Sequence, residues 1–173
     1  MTLLIPLIAT LLLALLAYRA FQRALRVDRF KTRFESLYPP SETVTWLARP
    51  GQRPLLAHLY KPDGWHHTDQ RPCIVLFFGG AWRVGSAWQF APFAQRLCAL
   101  GAVVILPEYR IKSRDRSTVD EAVVDGFAVM DKVCESADCL GIDLARISVG
   151  GGSAGGHLAA WIAAGVRPNA AEA

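Results

Sequence analysis

Two uninterrupted apolar runs, CIVLFFGG at residues 73–80 and AVVILPEY at 102–109, limit what this chain can fold into more than any other feature. Neither run alternates polar with apolar residues. A strand made from either is therefore covered on both faces, the situation of a strand inside a mostly parallel sheet. Parallel neighbours need a long crossover between them. The intervening SAWQFAPFAQRLCALG supplies one, with apolar residues at helical spacing and Gly101 at its end, where a left-handed residue closes a helix.

The pattern repeats downstream. STVDEAVVDGFAVMDKVCES (117–136) predicts a helix capped by Ser117, with Asp120 and Glu121 in the first turn, where the helix dipole favours negative charge. RISVGG (146–151) predicts the next strand and AGGHLAAWIAAG (154–165) the helix after it. Upstream, TVTWLA (43–48) and LLAHLYKP (55–62) flank the turn-rich RPGQRP and predict an antiparallel hairpin. Strand and helix in alternation imply right-handed crossovers, hence an α/β fold with a mostly parallel sheet over residues 43–173.

Charge is distributed unevenly. The formal net charge of +4 invites a nucleic-acid reading, but residues 19–33 alone carry +5 and residues 34–173 carry −1. No basic stripe suited to a phosphate backbone exists in the globular part, so no nucleic-acid partner is expected. The basic cluster follows MTLLIPLIATLLLALLAY, residues 1–18, which contain no charge. As a helix this run spans roughly 27 Å, just short of the hydrocarbon thickness of a bilayer. No Lys or Arg precedes it and no small-x-small cleavage site follows, so a transmembrane anchor is expected rather than a cleaved signal. Residues 19–42 then form a basic, Pro-containing connector. The positive flank places the folded domain on the cytoplasmic side of the membrane.

The chemistry concentrates in ISVGGGSAGGHL, residues 147–158. Gly151-Gly152-Ser153-Ala154-Gly155 fits G-x-S-x-G between a strand and a helix. A turn that sharp lifts a serine Oγ above the sheet only if the residues two before and two after it lack a Cβ. Gly150-x-Gly152-x-x-Gly155 also satisfies the dinucleotide fingerprint. That motif opens a first βαβ unit and needs an acidic residue about twenty positions on, after a further strand, and neither condition holds here. Ser153 is thus the candidate nucleophile. The segment LFFGGAWRVGS (76–86), at the end of an earlier strand, offers the close backbone approach that an oxyanion hole requires.

FFGGAW, PEYRIKSR and GID with RISVGGGSAGGHLAA occur in the order and spacing of the esterase/lipase branch of the α/β-hydrolase superfamily. The chain resembles its hormone-sensitive-lipase-like and acetyl-esterase-like members from about Pro54 to Ala164. The resemblance implies an eight-stranded, mostly parallel sheet, of which this chain would hold the first half, ending after the nucleophile helix. It implies hydrolysis of small-molecule carboxylic esters through an acyl-enzyme. Ser153 would be the nucleophile, with Gly80, Ala81 and Ala154 as backbone donors, and no cofactor or metal. Phe78 stands where the family has the histidine of H-G-G-G, and Ala81 where it has the third glycine. Because the donors are main-chain groups, neither change removes one, although the loop must be supported differently. The family places its acid and its histidine after the serine, and the strands that carry them are absent from this sequence.

Nothing within the chain is expected to replace them. His157 lies one helical turn beyond Ser153 and reads as structural. His58 belongs to a strand, and His66 and His67 to a solvated loop. Asp120, Asp125 and Asp131 read as helix-surface and first-turn charge, and Asp143 as a turn organiser. Cys73 and Cys98 read as buried, whereas Cys134 and Cys139 are close enough in sequence to bridge under oxidising conditions. The chain without its later strands is expected to be inactive. Two rivals share these residues: a serine peptidase or acyltransferase on the same fold, and a non-catalytic, membrane-tethered binding protein. Oligomeric state is not specified by the sequence.

Overall fold

The computed structural model describes residues 33–167. The anchor at 1–18 and most of the connector at 19–42 lie outside the described residues. Among the described residues, no helix is long and apolar enough to cross a membrane. The chain divides into units 1–37 and 38–173, and the second carries the elements that follow.

In chain order these are β1 (Glu42–Leu47), β2 (Leu55–Tyr60), β3 (Arg71–Phe77), a 3-10 turn (Ala87–Phe90), α1 (Ala91–Ala99) and β4 (Val103–Pro107). They continue with α2 (Lys112–Asp115), α3 (Val119–Glu135), α4 (Ala137–Leu140), β5 (Ile142–Gly151) and α5 (Ala154–Ala164). The five strands form one sheet in the order β1-β2-β4-β3-β5.

The expected antiparallel β1–β2 hairpin and the parallel run of β3, β4 and β5 are present, and the sheet adds an antiparallel pairing of β2 with β4 that was not expected. β3 pairs parallel with β4 and with β5, but β1–β2 and β2–β4 are antiparallel, so the described sheet is mixed. The reason is physical. A continuous apolar run marks a strand buried on both faces, and β2, with five of its six residues buried, is such a strand. Interior burial does not specify direction. The hairpin enters the sheet through β2 alongside β4, whose five residues are all buried.

β3 leads through α1 to β4, and β4 leads through α3 back past β3 to β5. Right-handed crossovers running in opposite directions put their helices on opposite faces. α1 packs on β4 and β2, whereas α5 packs on β5, β3 and α3. The core between them holds Val75, Phe77, Ile105, Leu106 and Leu158, all without solvent exposure.

Two local expectations shift. The cap of α3 is Thr118 rather than Ser117: the Thr118 Oγ1 accepts from the Glu121 N–H, while the Glu121 carboxylate accepts from the Thr118 N–H. T-V-D-E is therefore a complete capping box, and Ser117 is left with a buried hydroxyl that has no partner among the described residues. Asp125 is not on the polar face of that helix. It is fully buried, and its Oδ2 accepts from the Arg110 N–H and Nε at 2.9 Å each. Its Oδ1 takes Arg110 Nη2 at 3.0 Å and Arg49 Nη1 at 2.7 Å. One carboxylate thus joins α3 to the β1–β2 connection and to the segment after β4. A buried charge is tolerable only when saturated in this way. Asp143 organises its turn as expected, accepting from Ala145 N–H and Arg146 Nε. All four cysteines are free: Cys73 is buried, Cys98 half-buried, and Cys134 and Cys139 exposed.

Candidate functional site

β3 and β5 are adjacent and parallel, with Phe77 opposite Gly151 at their carboxyl ends. The chain leaves β3 towards α1 on one face and leaves β5 towards α5 on the other. Such a switch point opens a crevice above the strand ends, and there α/β sheets hold their ligands. Residues 78–82 and 152–154 face each other across it.

Sterics fix the elbow. Ser153 has φ 52° and ψ −117°, a conformation that costs a residue with a Cβ on the order of 1–3 kcal/mol. The turn closes through Gly155 N–H to Gly152 O at 2.9 Å and His157 N–H to Ser153 O at 2.9 Å. A Cβ on Gly155 would lie 2.1 Å from the Phe77 carbonyl oxygen, and one on Gly151 would lie 2.5 Å from it. These are the two positions where the sequence motif demands glycine. Gly152 and Gly156 are less constrained, their added Cβ atoms meeting Phe90 and the Gly151 carbonyl oxygen at 3.3 and 3.2 Å. Ser153 is exposed, and its hydroxyl has no hydrogen-bond partner among the described residues.

The facing loop is held by its carbonyls. Phe78 O accepts the Tyr109 hydroxyl at 2.7 Å, Gly80 O accepts from Arg83 and Val84, Trp82 O accepts from Lys112, and Arg83 O accepts from Ser113. Gly79 is engaged at both its N–H and its C=O by the Gln89 side chain. The N–H groups of Gly80 and Ala81, and that of Ala154 across the crevice, make no hydrogen bond to any described residue. Gly80, Ala81 and Trp82 have φ of 149°, 52° and 61° in succession. Consecutive left-handed residues of this kind turn peptide N–H groups into an anion-binding concavity. The loop also touches the elbow, since a Cβ on Gly79 would fall 2.6 Å from Gly152 O and 3.3 Å from Ser153 Cβ.

The altered support anticipated for this loop is visible at Phe78. Its ring stacks on Tyr109 with centroids 4.2 Å apart and planes 16° apart, while the Tyr109 hydroxyl holds its carbonyl. Burial raises the Tyr109 phenol above its ordinary range, which keeps the hydroxyl a donor.

The histidines take other partners. His157, on the exposed side of α5, stacks on Trp161 at 5.4 Å and meets Trp82 edge-on at 5.9 Å, so its ring is held along the helix flank. His58 Nδ1 pairs with Thr43 Oγ1, and its ring lies against Trp88. His66 pairs with Thr68. Among the described residues no group of three His, Cys, Asp or Glu is placed to hold a metal. The described elements thus bring the loop of Gly80 and Ala81 against Ser153 and Ala154, and no carboxylate or imidazole among the described residues hydrogen-bonds the Ser153 hydroxyl. A cleft of about 610 Å³ between Tyr60, Lys61, Arg71 and Cys98 opens at the opposite end of β3, away from Ser153. Sequence reasoning missed Tyr109 and Gln89 as supports. Tyr109 stood inside a quoted motif, whereas nothing in AWQF distinguishes Gln89 from an ordinary helix residue.

Residues 74–172 match a protein family described as an alpha/beta hydrolase fold. Carboxylesterase NlhH of Mycobacterium tuberculosis is 34% identical over 95 residues, covering 55% of this chain and 30% of that protein. An AB hydrolase superfamily protein of Schizosaccharomyces pombe is 33% identical over 105 residues, covering 60% and 30%. Among solved structures, the butyrate-bound esterase Est2 of Thermogutta terrifontis is similar with a TM-score of 0.69 and 37% identity, over 72% of this chain and 44% of that one. The chain therefore spans less than half the length of each of these relatives.

Proposed function

The chain belongs to the alpha/beta hydrolase fold family, and from that premise we propose that it carries the nucleophile and oxyanion half of a serine carboxylesterase site. The observation that bears most weight is the trio of unspent N–H groups, Gly80, Ala81 and Ala154, gathered around an exposed and strained Ser153. Preorganised donors of this kind stabilise charge that develops in a transition state, each worth about 10²- to 10³-fold in rate.

In this reading Ser153 Oγ attacks the ester carbonyl. The serine proton passes to a histidine outside the described residues and then to the leaving alcohol, while the oxyanion rests on the three N–H groups. Water then cleaves the acyl-enzyme with the same base. The substrate is a small-molecule carboxylic ester. A short acyl chain is favoured by the similarity to an esterase solved with butyrate. No cofactor enters this scheme. The catalytic acid and histidine come from later strands, and residues 34–173 without them are inactive. Membrane anchoring through residues 1–18, with the domain on the cytoplasmic side, belongs to the same proposal and draws on the uncharged run and the arginines after it.

The test is hydrolysis of short-chain aryl esters by the full-length protein and by its Ser153→Ala variant. We expect a loss of at least about 10³-fold in kcat. Unchanged hydrolysis in the variant removes Ser153 from the chemistry. Turnover of peptides in preference to esters, or acyl transfer to an added alcohol in preference to water, assigns the same serine to a peptidase or an acyltransferase.

A further inference from the structure

The loop that carries Gly80 and Ala81 closes on itself through one side chain. The Gly79 N–H donates to Gln89 Oε1 at 3.1 Å, and Gln89 Nε2 donates to the Gly79 carbonyl at 3.0 Å. A side-chain amide paired at both ends of one residue reproduces the paired bonds of an antiparallel ladder without a neighbouring strand. The amide reaches back ten residues to Gly79, where an added Cβ would lie 2.6 Å from Gly152 O and 3.3 Å from Ser153 Cβ.

Gln89 is itself held in place. It belongs to the 3-10 turn Ala87–Phe90, which Ser86 begins by accepting from Trp88 N–H, and the Gln89 N–H donates to Ser86 O at 3.1 Å. Ala87 and Trp88, the two residues after that cap, are buried, and the Trp88 ring lies 4.3 Å from His58. On the inner side of the loop, Gly85 has φ 126°, and a Cβ there would sit 2.4 Å from Gly79 O. The Gly79 peptide is thus fixed between a bare glycine and a rigidly mounted amide.

Such fixation has a purpose, because three successive residues after Gly79 hold positive φ and two of them carry a Cβ. Backbone in that state persists only where its surroundings over-determine it. Trp82 O and Arg83 O are secured at the far end of the strained run by Lys112 and Ser113. At the near end the only side-chain amide available among the contacts described is that of Gln89.

We propose that Gln89 is a positioning residue for the oxyanion hole: it locks the Gly79 peptide so that the Gly80 and Ala81 N–H groups stay aimed across Ser153. This inference rests on the esterase reading above. It assigns no proton transfer and no substrate contact to Gln89. Its contribution is made to the transition state, because donors that swing away lose most of their value where charge is greatest.

The test compares Gln89→Met, similar in length but without the amide, with the unaltered full-length protein. Two readouts are taken: steady-state ester hydrolysis and amide hydrogen exchange at Gly79, Gly80 and Ala81. We expect kcat to fall about 10- to 100-fold with KM changed less than about threefold. Exchange at Gly79 should accelerate while that of β3 and β4 stays unaltered. Gln89→Glu, which keeps the acceptor and loses the donor, should fall between the two. Faster exchange at Gly79 with unchanged kcat overturns the proposal, as does a rise in KM with kcat intact. Failure of the esterase reading is separable, because it appears as hydrolysis that survives Ser153→Ala while the exchange response of Gln89→Met is still read.

Discussion

β3 and β5 are neighbours in register and deliver the two sides of one site, yet they are held in different ways. β3 is flanked by β4 and β5, and buries Cys73, Val75 and Phe77 completely. Its exit loop is then secured by the Tyr109 hydroxyl, the Gln89 amide and two N–H groups of α2. β5 pairs with β3 alone among the described strands, and beyond Ile142 none of its residues is buried. Its Ser153 turn is held by glycine sterics and three backbone bonds, with no side chain contributing. The donor side is thus completed by side chains from within residues 78–113, while the nucleophile side is shaped but not served. Geometry that depends on missing atoms can be set locally. Chemistry that depends on present atoms must be delivered by another segment.

The largest effect expected is at the contact of α5 with the end of β3. Gly155→Ala adds a carbon that would lie 2.1 Å from Phe77 O and 2.5 Å from Phe78 O, so α5 must lift from β3. We expect loss of the native fold, read as disappearance of a cooperative thermal transition. A soluble variant with an unaltered transition would mean that α5 and β3 are less tightly joined than this.

Val75 and Val149 are direct cross-strand partners and allow the same substitution to be made on both sides. Val75→Ala should cost about 2 kcal/mol, since the side chain is fully buried, and Val149→Ala less than about 1 kcal/mol, both from urea unfolding. Equal costs in the full-length protein would show that a further segment or partner covers β5 there. An open edge of a parallel strand would otherwise be an aggregation hazard.

The smallest effect concerns Glu108, just after β4, which pairs with Arg53 at 2.7 Å and with Arg114 at 3.3 Å. Burial pushes the Glu108 carboxyl up, but the hydrogen bond from Arg53 and the charges of Arg114 and Arg53 outweigh it, and its pKa is lowered below 4.5. A folded value below the unfolded one means that the carboxylate contributes its full stability above about pH 4.5, and loses it as pH falls through the lowered value. Urea midpoints measured from roughly pH 6 to pH 3 should therefore decline more steeply for the unaltered protein than for Glu108→Gln. Parallel curves would remove Glu108 from the acid response.

Much of this was legible in the chain. The apolar runs located β3 and β4, the hairpin signals located β1 and β2, and the glycines around Ser153 marked the elbow, because each of these depends on neighbours a few residues away. The antiparallel hairpin and the parallel run of β3, β4 and β5 were legible too, whereas strand order and the antiparallel pairing of β2 with β4 were not, since two-face burial is common to β2 and β4 whichever way they run. The position of Asp125 escaped for a related reason: its helix spacing looks exposed until Arg110 and Arg49 arrive from distant segments to saturate it. Thr118 was within reach, because T-V-D-E spells its own cap, but the serine before it satisfied the simpler rule. Gln89 was out of reach, as an amide has no pattern that names its partner.

Gly79, Gly151 and Gly155 bring the two sides of the crevice into backbone contact, with no side chain interposed. Variation at these positions therefore has nowhere to go, and the site cannot drift by exchanging one side chain for another. Any diversification of what it accepts must be written in the surrounding rim, where Trp82, Phe90 and Trp161 still have room to change. The glycines act as a record of excluded volume, and the sequence states what this centre is by where it leaves matter out.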